Sequence, residues 1–163
     1  MKRLSLWAIA LILTGGLSVF SGGRAEESGE GIHVDDRNIA LGGADVVAYF
    51  GLPPEAGAIY GKTEYSYAWK GATWLFAIEE TRERFVESPE RYAPQYGGYC
   101  AYALSQNKLV GTDPDAWTVY DDKLYLNNNL AGREKWRKDK RGYILKADEY
   151  WPAHLEKLLA KAK

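Results

Sequence analysis

The only cysteine of the chain, Cys100, lies in a segment where several residues with chemical potential are close in sequence. The segment runs from Ala93 to Gln106 and reads APQYGGYCAYALSQ. A thiol in such a position can ligate a transition metal or haem, act as a nucleophile, or form an intermolecular disulfide. It can also fill a small space in the core, because free cysteine is among the most buried residue types.

The residues around Cys100 fit a ligand site. If a helix begins at Cys100, its N-terminus stabilises a thiolate, and Gly97 and Gly98 allow a ligand close to the backbone. The neighbouring phenols could form the rim of a pocket for a planar or polar ligand. We therefore predict a ligand-binding set of Cys100, Tyr96, Tyr99, Tyr102, Gly97 and Gly98. The alternative, that these aromatics only fill a small core, stays open.

Few other side chains are available to share chemistry with the thiol. His33 and His154 are the only histidines, and Met1 is the only methionine, so a closed zinc site of four Cys or His ligands cannot form within one chain. The candidate metal ligands are Cys100 and His154, with a transition metal or haem as the candidate cofactor. His154 also lies on an apolar stripe with Trp151 and Leu158, which is typical of a packed histidine. No catalytic constellation can be identified from spacing, which favours a protein that is not an enzyme.

The first 25 residues are typical of a signal peptide. Lys2 and Arg3 precede an apolar run from Leu4 to Phe20, and Gly23 and Ala25 fit a cleavage site after Ala25. We predict a periplasmic or secreted protein with no stable membrane insertion after cleavage; an uncleaved N-terminal anchor is the alternative. Without Lys2, Arg3 and Arg24, 18 basic residues face 22 acidic ones, a net charge of −4. This charge excludes nucleic acid as the expected partner.

The rest of the chain predicts one small α+β domain with two β-hairpins packed against several short helices. Residues 26–37 are polar and are expected to be a flexible mature N-terminus, and residues 38–163 form the domain. Aromatic and β-branched runs at 65–69 and 73–77 predict a hairpin around Lys70-Gly71, and 117–120 with 123–127 predict another. Helices are expected at 79–88, 129–138, 143–150 and 152–162; Asn129 is the expected N-cap of the second, and the last begins at Pro152.

The order of these elements resembles the YHS domain in its exported bacterial form. The resemblance rests on ADVVAYF (44–50), YSYAWKGATWLFA (65–77), RERFVESPERYAPQYGGYCAYALS (82–105), DPDAWTVYDDKLYLN (113–127) and KWRKDKRGYILKADEYWP (135–152). Shorter YHS domains resemble cysteine-based metal-binding modules, but at the positions of their two cysteines this chain has Ala77 and Thr81. We therefore expect this corner to be a scaffold filled by apolar side chains, with Trp74, Phe76, Phe85 and Tyr92 packed together.

Three functions are compatible with these observations. The first is an exported binding module that holds a transition metal or small ligand near Cys100. The second is an enzyme that uses the Cys100 thiol. The third is an accessory protein that packs against a periplasmic or membrane partner, which the resemblance suggests because YHS domains occur attached to transporters.

Overall fold

Two β-hairpins form the framework of the protein, whose computed structural model describes residues 30–162. Strand β1 (Lys62–Trp69) pairs antiparallel with β2 (Ala72–Phe76), and β3 (Asp113–Tyr120) with β4 (Lys123–Asn127). Both central residues of each connecting turn, Lys70-Gly71 and Asp121-Asp122, have positive φ. This backbone matches the right-handed twist of the paired strands. The predicted α+β class and both hairpins are confirmed.

Five α-helices accompany the hairpins in the described part of the chain: α1 (Glu79–Glu87), α2 (Pro89–Tyr92), α3 (Ala101–Leu104), α4 (Leu130–Arg137) and α5 (Lys140–Lys161). The polar residues before the last two helices cap them. Asn129 accepts a hydrogen bond from the Gly132 N–H at 2.7 Å, and Asp139 accepts one from Gly142 at 3.0 Å. Three short 3-10 turns, Leu41–Gly43, Ala48–Gly51 and Gln95–Gly98, complete the chain.

Helix α5 differs from the prediction, because it continues through Pro152 instead of beginning there. Pro152 lacks an N–H, so the carbonyl of Asp148 loses its helical donor. Contacts with the rest of the domain hold this part of the helix in place. The Tyr96 hydroxyl donates to Asp148 Oδ1 at 2.8 Å, and the Trp151 ring lies 6.0 Å from the Tyr96 ring.

Residues 30–37, part of the stretch predicted to be flexible, make contacts with the domain. Ile32 is buried and Val34 forms a β-bridge with Ala40. The His33 N–H donates to the Gly97 carbonyl at 2.8 Å. The segment therefore packs onto the turn that precedes Cys100. The predicted signal peptide, 1–25, lies outside the described residues.

The core consists of two clusters. One contains the first hairpin and α1, where the Phe85 ring lies 5.0 Å from Trp74 and 5.1 Å from Phe76. The other contains Tyr96, Leu104, Tyr125, Trp136 and Ala147 beneath α3, α4 and α5. Within residues 30–162 no helix has the length and apolar character needed to cross a membrane.

A carboxyl group fills the corner around Ala77 and Thr81. Asp45 is fully buried, and its Oδ2 accepts hydrogen bonds from the Ala77 N–H at 2.9 Å and the Thr81 hydroxyl at 2.7 Å. Its Oδ1 accepts from the Val47 and Ala48 N–H groups. The expected packing of Trp74, Phe76 and Phe85 is present, and the half-buried Tyr92 packs against Phe50. The expectation that apolar side chains fill the corner is wrong, because four donors surround the buried carboxyl group of Asp45 there.

Candidate functional site: Cys100, the asparagine triplet and the adjoining cleft

A left-handed turn places Cys100 in the interior. Tyr96, Gly97 and Gly98 have consecutive φ values of 57°, 60° and 86°. The chain then runs beside β4, where Cys100 forms a bridge with Leu126, and the Cys100 N–H donates to Val110 O at 2.9 Å. Helix α3 starts at the next residue, so Cys100 is its N-cap.

The Cys100 sulfur is 0% exposed and lies among polar groups. The Ala103 N–H donates to Sγ at 3.4 Å, so the sulfur caps α3 in the way an oxygen usually does. The side-chain oxygens of Asn127 and Asn128 lie 3.8 and 3.9 Å from Sγ. A short helix does begin at Cys100, and the thiol is buried beside two amides.

Three consecutive asparagines, Asn127 to Asn129, connect the thiol to the surface. Asn127 is fully buried, and its Oδ1 accepts from the Tyr102 N–H at 3.2 Å, whereas its Nδ2 has no partner among the described residues. Asn128 is exposed, and Asn129 caps α4. Of these three asparagines, the sequence predicted a role only for Asn129, as a helix cap. The signal for the other two was their position between the last strand and a helix, where polar side chains serve as turn and cap groups.

Gly97 and Gly98 allow a close approach, but it is the protein's own N-terminal segment that approaches them. A Cβ at Gly97 would overlap the carbonyl oxygen of Gly31, and one at Gly98 would overlap the Leu41 side chain. Because the two glycines lack a Cβ, the segment at 31–41 can pack directly against the turn before Cys100.

The three predicted tyrosines point to different neighbours and do not converge on the sulfur. Tyr96 binds Asp148, Tyr99 lies 5.1 Å from the His33 ring, and the Tyr102 ring lies 5.2 Å from Tyr143. Burial, together with the hydrogen bond to Asp148, raises the pKa of Tyr96, and burial raises the pKa of Tyr99. These two phenols are therefore neutral at physiological pH.

The two histidines occupy different environments. His154 Nε2 lies 3.0 Å from Asn107 Oδ1 at the surface. The His33 ring packs on Gly111 and Tyr99, its buried Nδ1 has no partner among residues 30–162, and burial lowers its pKa. Between residues 30 and 162 no group of three or more His, Cys, Asp or Glu side chains has the geometry to hold a metal ion. The polar neighbours of the Cys100 sulfur are amides, which suit a soft metal poorly.

A cleft of about 330 Å³ opens between α3 and α4, next to the buried thiol. Tyr102 and Ala103 of α3 line one wall, and Ala131 and Gly132 of α4 line the other. Asn128 belongs both to the cleft lining and to the environment of Sγ, so it separates the cleft from the thiol. The remaining lining residues are Gln106, Lys108, Asn129 and Lys135.

A second depression, a groove of about 370 Å³, adjoins the turn at 95–98. Tyr96 and Gly97 border it, together with Trp69 of β1 and Trp151 of α5. The predicted ligand-binding residues are therefore divided, with Tyr96 and Gly97 at the groove and Tyr102 at the cleft. The cleft is the depression that borders the environment of Cys100.

Comparisons of the chain with protein-family models, with curated proteins and with solved structures found no match. The resemblance to the YHS domain consequently rests on the sequence segments given above.

Proposed function

We propose that this protein is an exported, YHS-like binding module that holds a small ligand in the cleft between α3 and α4. The observation that carries the proposal is Asn128, whose side chain lines the cleft and lies 3.9 Å from the Cys100 sulfur. A cleft of about 330 Å³ is at the lower end of the volume range of small-molecule sites.

The proposal assigns Cys100 and Asn127 a positioning role. The sulfur fixes the start of α3 through Ala103, and Asn127 ties the Tyr102 N–H to the end of β4. Both contacts hold the α3 wall at a set distance from the α4 wall. A small ligand suits this arrangement better than a metal, because the groups nearest the thiol are amides.

Native mass spectrometry of protein isolated from the periplasmic fraction tests the proposal. We expect a mass that begins at Glu26, accompanied by a non-covalent adduct. Ala131→Trp fills the cleft and should remove the adduct, whereas Ala160→Trp, at an exposed alanine of α5, should keep it. An adduct equally abundant in both variants, or no adduct in the wild type, would contradict the proposal.

A second candidate function, thiol chemistry at Cys100, is favoured by one observation, the hydrogen bond from the Ala103 N–H to the sulfur. Such a bond stabilises a thiolate. The test is alkylation by iodoacetamide in native buffer and in urea. Labelling only after unfolding would agree with a buried positioning thiol, and rapid labelling of the native protein would favour thiol chemistry.

A further inference from the structure

The cleft between α3 and α4 carries an uncompensated positive charge. Lys108 and Lys135 line it, and its lining contains no acidic side chain. Neither ammonium group forms an ion pair with any residue from 30 to 162. The groove differs, because Glu30 and Glu90 accompany Lys70 there.

The two lysines come from different sides of the cleft. Lys108 follows α3, and its backbone N–H donates to Ala103 O at 3.0 Å, which holds that residue close to the α3 wall. Lys135 is an exposed residue of α4 on the opposite wall. A ligand between the walls would therefore be flanked by a cation on each side.

The neutral groups of the lining add hydrogen-bond donors. The first N–H groups of a helix have no intrahelical acceptor, and the α4 residues Ala131 and Gly132 line the cleft. Asn129 Oδ1 accepts a hydrogen bond from the Gly132 N–H, so the backbone N–H groups of the preceding residues in the first turn remain available to a ligand. The positive end of the α4 dipole adds to the charge of the lysines. Amide groups of Gln106 and Asn128 offer further polar contacts.

A buried polar atom lies directly behind this wall. Asn127 is 0% exposed and its Nδ2 has no partner among residues 30–162. A Cβ at Gly132 would come within 3.9 Å of the Asn127 Cβ, so this side chain lies next to the α4 wall. A buried amide without a partner among the described residues therefore lies beside the first turn of α4.

We propose that the cleft binds a small dianion, a dicarboxylate or a phosphate monoester. This inference rests on the proposed function and gives it a ligand class. In a dicarboxylate one carboxylate meets Lys135 and the first turn of α4 and the other lies toward Lys108, whereas a phosphate monoester places its single dianionic group at Lys135 and the first turn of α4. An anionic ligand is not expected from the net charge of the chain, which is −4 without the predicted signal peptide.

Both lysines are exposed, so solvent and salt screen their attraction to the ligand. We therefore expect weak binding to simple anions, and an affinity that falls as sodium chloride is added. A natural ligand gains further affinity from contacts with the amide groups and with the face of Tyr102.

Titration of the uniformly ¹⁵N-labelled protein, followed by ¹H–¹⁵N NMR at constant ionic strength, tests the class. The probes are succinate, inorganic phosphate, and succinamide as the neutral analogue of succinate. We expect saturable shifts at Ala103, Ala131 and Gly132 with succinate or phosphate, and none with the same concentration of succinamide.

Charge variants give the matched comparison. Lys108→Gln and Lys135→Gln should each weaken succinate binding by about threefold, and the double variant by about tenfold. Lys157→Gln, at an exposed lysine of α5 outside the cleft lining, should leave the affinity unchanged.

Two outcomes would overturn the dianion class. One is the absence of saturable shifts with both anions, and the other is equal affinity for succinate in the double variant and the wild type. If succinamide then shifts the cleft amides, or the native adduct is still lost in Ala131→Trp, the cleft remains a ligand site and only its charge preference is wrong. If succinamide causes no shifts and the native adduct is kept in Ala131→Trp, the proposed function is wrong as well as the dianion class.

Discussion

Individual residues in this protein carry polar contacts where the surrounding sequence suggests an apolar interior. Asp45, Cys100 and Asn127 are all fully buried, and each has several polar neighbours. A single sequence does not show the long-range part of this pairing, because the donors Ala77, Thr81 and Tyr102 lie 32, 36 and 25 residues from their acceptors. Asp45 is the clearest case, since its Oδ2 binds groups 32 and 36 residues away.

Replacing Asp45 with asparagine should therefore destabilise the domain. An amide keeps one acceptor oxygen, and its NH₂ group faces donors, so we expect a loss of about 2 to 4 kcal/mol in the free energy of unfolding. Urea denaturation of Asp45→Asn beside Asp36→Asn, an exposed aspartate of the N-terminal segment, measures the difference. Equal stability of the two variants would show that the buried carboxylate contributes nothing.

At the scale of elements, the N-terminal segment and the turn before Cys100 form one unit. The segment at 30–41 packs on Gly97 and Gly98, and its backbone binds Gly97 through His33. The sequence indicated both hairpins and the cap at Asn129, because strand alternation and capping are local signals. It did not indicate the order of 30–37 or the continuity of α5 through Pro152, since both depend on contacts with distant residues.

A pair of glycine variants tests the packing at this turn. Gly97 and Gly42 have nearly equal φ values, 60° and 61°, but a Cβ at Gly97 would overlap Gly31, whereas one at Gly42 meets nothing within 4 Å. We expect Gly42→Ala to cost about 1 kcal/mol for its backbone conformation and Gly97→Ala to cost about 3 kcal/mol or more. Similar melting temperatures for the two variants would contradict the packing role of Gly97.

The same segment should make stability depend on pH. Burial lowers the pKa of His33, so the folded state resists protonation there while the unfolded chain accepts a proton below about pH 6.5. This contribution to stability is present above that pH and is lost as the pH falls further. Tyr99 is the titratable side chain in ring contact with His33, and it is neutral in this range.

Chemical denaturation at pH 7.5 and 5.5 measures the effect. The free energy of unfolding should fall more in the wild type than in His33→Phe, which keeps a ring against Tyr99 but cannot be protonated. His154→Phe is the matched control, because it removes the surface histidine and should keep the wild-type dependence. If His33→Phe and the wild type respond identically, His33 does not contribute to the pH dependence.

At the scale of the whole molecule, the charge of the chain and the charge of the candidate cleft differ in sign. The chain has an acidic net charge with or without its predicted signal peptide, yet the cleft is lined by two lysines and no acid. The sequence pointed to the neighbourhood of Cys100, and the structure divides that neighbourhood into a cleft and a groove. Which residues face which depression could not be predicted, because it depends on how α4 packs beside α3 and how α5 packs against the turn at 95–98.

The location of a bound ligand is the most direct test of the central claim. A small-molecule extract of the periplasm is added to the ¹⁵N-labelled protein, and the amide shifts are mapped on the structure. We predict shifts at Tyr102, Ala103, Ala131 and Gly132, which line the cleft. Shifts confined to the groove residues Trp69, Trp151 and Leu159, or no shifts in the cleft, would contradict it.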